Sequence, residues 1–111
     1  MNRAELLYQI VTFGDCRDQA FLELTKLGFD SEVELFKVNN NVLAGVLEMF
    51  ISDSISSDDL EEWANFIECR DDINYSEIED YIYALANPEL MGDINKVKIT
   101  LMLQILTHSK K

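Results

Sequence analysis

The chain has one histidine, two cysteines and 21 acidic side chains with which to do chemistry. Nucleophilic catalysis needs a serine or cysteine with a general base in reach. His108 is the single histidine able to serve, lies close to the C-terminus and reads as exposed and inert. Cys16 and Cys69 form no C-x-x-C pair and have no histidine near them in sequence, so they read as two reduced thiols. The four glycines are scattered and build no phosphate-binding loop. Acid-rich stretches invite a calcium-loop reading, which position tests. Counting from Asp53, Ile55 stands third, Asp58 stands sixth where glycine is required, and Ala64 stands twelfth where a glutamate is required. Counting from Asp72, Asn74 and Ser76 fit, but Glu77 stands sixth and Tyr83 twelfth. Both registers fail. Two carboxylates can do acid–base work, yet nothing marks one pair as buried. The reading is of a protein with no catalytic residues, no cofactor and no metal.

What the carboxylates do show is crowding. Nine Lys and Arg against 21 Asp and Glu give a net charge of −12. Residues 1–50 contribute −4, residues 51–93 contribute −12 from 13 acids and one base, and residues 94–111 hold four lysines and no acid. In Asp58–Ile73, DDLEEWANFIECRDDI, seven carboxylates surround Trp63 and Arg70. Like charges repel and weaken the compact state, so the crowding needs either a solvated surface or a partner. Bare nucleic acid is a poor ligand for such a chain, because its phosphates would be repelled. A basic partner, or simple solubility, is the natural reading.

The elements that must position these acids are helices. Apolar residues make up 48% of the 111, well above an acidic disordered chain, and the length suits one domain over 1–111. Asn2 with Glu5 reads as a capping box ahead of Leu6, Leu7, Ile10 and Val11. Gly14 ends that helix, and Asp15 opens one with Ala20, Phe21, Leu24 and Leu27, closed by Gly28. The stretch FDSEVELFKVNNN admits a short helix or an extended connector, and its asparagines cap a helix through Val42, Leu43, Val46, Leu47 and Phe50. Ser56 and Asp59 form a capping pair for the stripe Leu60, Trp63, Ala64 and Ile67. Asn74 and Glu77 repeat that signature before Ile78, Tyr81, Ile82 and Leu85, and Asn87-Pro88 stops the run. Gly92 and Asp93 start a last helix with Ile94, Val97, Leu101, Leu103 and Ile105. The expected fold is all-α, a single-domain bundle of five to six helices with short connections. No basic region precedes the apolar part of MNRAELLYQIVTFG, and the longest apolar runs, Val42–Leu47 and Tyr81–Ala86, fall short of a membrane span. The expectation is therefore a soluble cytoplasmic protein with no membrane role.

Helix phase turns Asp58, Glu61, Glu62 and Glu68 outward. Asp71 and Asp72 follow in the turn, and Glu79 and Asp80 lie on the next helix. With Tyr75, Tyr81 and Tyr83 at their fringe, they could pair with Lys and Arg and also stack on them. The candidate contact residues are Asp58, Glu61, Glu62, Glu68, Asp71, Asp72, Tyr75, Glu79, Asp80 and Tyr83. Acids on solvated helix faces account for such a run equally simply. Arg70 reads as a helix C-terminal cation bridging Asp71 or Glu68, and Trp63 as packing.

ISSDDLEEWANFIECRDDI, followed by EIEDYIYALANPELMGDI, resembles small bacterial immunity proteins of polymorphic toxin systems, including contact-dependent growth inhibition. The strings W-A-N…R-D-D-I and A-N-P-E-L carry the likeness, within Leu47–Asn95. The resemblance implies a non-enzymatic inhibitor that binds a cognate toxin domain 1:1 and covers its active site or substrate cleft. Many such toxins are nucleases with basic clefts, which the −12 segment would complement. The alternative is another acidic interaction module, or a nucleic-acid mimic that blocks a DNA- or RNA-binding protein.

Overall fold

The computed structural model describes residues 3–27, 36–70 and 72–108; Asn2, residues 28–35, Asp71 and the side chains of Leu27 and His108 lie outside the described residues. Among them the chain forms α1 (Arg3–Val11), α2 (Arg17–Leu27), β1 (Phe36–Lys37), α3 (Asn40–Ile51), α4 (Ser57–Glu68), β2 (Ile73–Asn74), a 3₁₀ turn (Ser76–Ile78), α5 (Glu79–Ala86), α6 (Pro88–Met91) and α7 (Lys96–His108). The described residues are mostly helical, with seven α-helices where five or six were expected. One extra helix comes from Pro88, which stops α5 and then occupies the first turn of the short α6, where a missing N–H costs nothing.

The helices pair as α1 with α2, α4 with α5 and α3 with α7. Their apolar faces meet in one buried cluster that includes Leu7, Ile10, Leu47, Trp63, Ile82 and Ile99. The cap at Asn39 accepts from the Val42 N–H at 3.0 Å. Ser56 and Asp59 exchange both capping hydrogen bonds, at 3.0 and 3.1 Å. The expected box at Asn74 and Glu77 does not form, and the one at Asn2 and Glu5 rests on Asn2, outside the described residues. Asn74 accepts from Ser76 through both its N–H and its hydroxyl, and Glu77 reaches across the fold to accept from the Asn40 N–H at 2.9 Å. That donor is one of the orphan amides at the start of α3. The contact, helped by Lys37, holds the Glu77 carboxyl below its ordinary pKa.

α1 ends at Val11, and the left-handed residue after it is Phe13, with φ 54°. A Cβ at Gly14 would meet the end of the flexible Gln9 side chain, whose Oε1, 2.0 Å away, would have to move aside. The Arg17 guanidinium lies over the Phe13 ring, 4.2 Å from its centroid. At the other end, Gly92 closes α6 with φ 98°, and α7 starts three residues after Asp93, with Asn95 accepting from the Lys98 N–H. The residues of α7 that reach the core are Ile99 and Leu106, with Met102 and Leu103 partly buried. Val97, Leu101 and Ile105 face outward instead. Both sets recur at helical spacing, so periodicity alone could not choose between them.

Phe36 and Lys37 pair in parallel with Ile73 and Asn74, which makes the end of the connector extended. No described helix is long and apolar enough to cross a membrane.

Trp63 is fully buried and its indole Nε1 donates to the Val11 carbonyl at 2.9 Å. That carbonyl is at the end of α1, where intrahelical donors run out. Replacing Trp63 with Phe removes the donor and part of the volume. The expected loss is about 2–4 kcal/mol, read by circular dichroism in a urea titration.

Candidate acidic interaction surface

The ten candidate residues do not share one environment. Asp58, Glu62, Glu68, Glu79, Asp80 and Tyr83 are exposed, while Glu61 and Tyr75 are half-buried. Asp71 lies outside the described residues. Asp72 has no exposed surface at all, so its carboxylate is withdrawn from any partner.

The exposed acids fall into groups along α4 and α5. At the start of α4, Asp58 and Glu61 line a cavity of about 340 Å³ together with Asp93, Ser57, Pro88 and Ile94. Three carboxylates converge there because α4 begins beside the segment that leads into α7. Along the first two turns of α4, Asp59 and Glu62 lie in the field of Arg17, a half-buried cation between the rings of Phe13 and Phe21. Burial lowers the Arg17 pKa, and these acids oppose that shift. At the far end of α4, Glu68 and Glu79 flank Tyr75. Burial, then the charges of Glu68 and Glu79, raise the Tyr75 pKa, so its hydroxyl stays protonated and able to donate. Asp80 and Tyr83 extend this end along α5, with Tyr83 46% exposed.

Asp58, Glu61, Glu68, Glu79, Asp80 and Asp93 hold no salt bridge among the described residues. They are acceptors left over after folding, matched in chemistry to ammonium and guanidinium groups. Among the described residues no group of three or more His, Cys, Asp or Glu is arranged to hold a metal ion.

Arg70 and Asp72 do a different job from the one expected. Arg70 is only 5% exposed. Its Nε and Nη2 donate to the two oxygens of Asp72 at 2.9 and 2.6 Å, and Arg3 donates to the same carboxylate from α1 at 3.1 Å. The Asp72 carbonyl meanwhile accepts from the Phe36 N–H. One aspartate thus joins α1, the end of α4 and both short strands. Burial would raise its pKa, but the hydrogen bonds from Arg70 and Arg3 outweigh this and hold it below the ordinary value.

Sequence reasoning missed Asp93, Arg17 and Arg3. Asp93 stands in a turn 35 positions from Asp58, and Arg3 stands 69 positions from Asp72. No local spacing signals either pairing. Arg17 had a local signal, since Phe13 and Phe21 lie four residues to either side of it and so share its face if that stretch is helical.

Asp72→Ala should cost about 3–5 kcal/mol, because two guanidiniums lose their buried carboxylate. Asp80→Ala, at an exposed site, should stay within about 0.5 kcal/mol. A depressed carboxyl pKa means that the unfolded chain binds the proton more readily. The Asp72 contribution is therefore complete above the unfolded value, about 3.9, and is lost as pH falls toward the lower folded value. Thermal midpoints across that acid range should fall steeply for the wild type and less steeply for Asp72→Asn.

No family model matches the chain, and no curated protein and no solved structure matches it.

Proposed function

We propose that this protein is an immunity-type inhibitor that binds a basic toxin domain, a nuclease by charge, and covers its substrate cleft. The carrying observation is the set of carboxylates on α4 and α5 that folding does not use. Asp58, Glu61 and Asp93 surround a cavity able to take a long cationic side chain. Glu68, Glu79 and Asp80 flank Tyr75 and Tyr83 at the other end. Tyrosines beside acids supply stacking area for an arginine as well as charge. A surface of this sign steers a cationic partner into contact and speeds capture.

The mechanism is occlusion. Carboxylates replace the phosphates that a nuclease cleft is built to hold, and no bond is made or broken. Asp58, Glu61, Glu68, Glu79 and Asp80 provide the charge, while Tyr75 and Tyr83 provide packed area. Glu62 contributes less, because Arg17 already offsets part of its charge. The inhibitor works in the cytoplasm of the cell that makes it, as a 1:1 complex.

The test is co-expression with the toxin-like domain encoded immediately upstream. Growth should be rescued by the wild type. Glu68→Gln/Glu79→Gln/Asp80→Asn should slow association by about tenfold or more at low salt, with a smaller effect at high salt. Its thermal midpoint should match that of the wild type. Failure to rescue, together with capture of a DNA- or RNA-binding protein from host lysate, would assign the same face to a nucleic-acid mimic.

A further inference from the structure

We draw no further inference here: the strongest candidate, the cavity that Asp58, Glu61 and Asp93 line at the start of α4, belongs to the acidic surface already described, and nothing else in the structure says what ligand it would take.

Discussion

The carboxylate of Asp72 is where the separate parts of this fold are tied together. Arg70 reaches it from the end of α4 and Arg3 from α1, while the backbone of the same residue carries the link to β1. Buried charge is tolerable only when paired and hydrogen-bonded, and this aspartate has both guanidiniums. The small parallel strand pair, the exit from α4 and the entry to the 3₁₀ turn all depend on its position. So does the placement of Tyr75 between Glu68 and Glu79, since that tyrosine follows three residues after the tie.

A protein with this much negative charge must fold against its own repulsion. The structure manages it by dividing the acids by role. Asp59 closes a capping box, Glu77 caps a helix from another part of the chain, and Asp72 is neutralised inside. Arg17 sits between two phenyl rings close to Asp59 and Glu62 and offsets part of their charge. The densest of what is left lies at the two ends of α4 and along α5, with others, such as Glu48 and Glu89, scattered elsewhere on the surface. Charge unrelieved at those places is charge that the fold itself does not use.

Much of the helical plan was legible because it is local. The Ser56–Asp59 box, the Asn39 cap and the stripe Leu60, Trp63, Ala64 and Ile67 are set by neighbours within one or two turns. The candidate surface was legible only in part. Helix phase placed Asp58, Glu62, Glu68, Glu79 and Asp80 at the surface. It failed at Asp72, where two residues of separation from Arg70 concealed a buried bidentate pair, and at Glu77, whose acceptor role belongs to a helix 37 positions away. Such pairings depend on where the chain returns to itself.

By itself the sequence determined a helical chain of net charge −12, its acids concentrated between residues 51 and 93, with the Asn39 and Ser56–Asp59 caps and most core stripes in place. Composition and short-range spacing suffice for that, since a helix is closed by residues three and four apart. Only the tertiary structure decided which acids remain free and which side of α7 is covered. Ile99, Met102, Leu103 and Leu106 satisfy the spacing of a buried stripe, and Val97, Leu101 and Ile105 satisfy another. Packing with α3 chose the first set and left the second in water. A helix with two apolar faces has no local preference between them. The choice falls to whichever face the rest of the fold can bury.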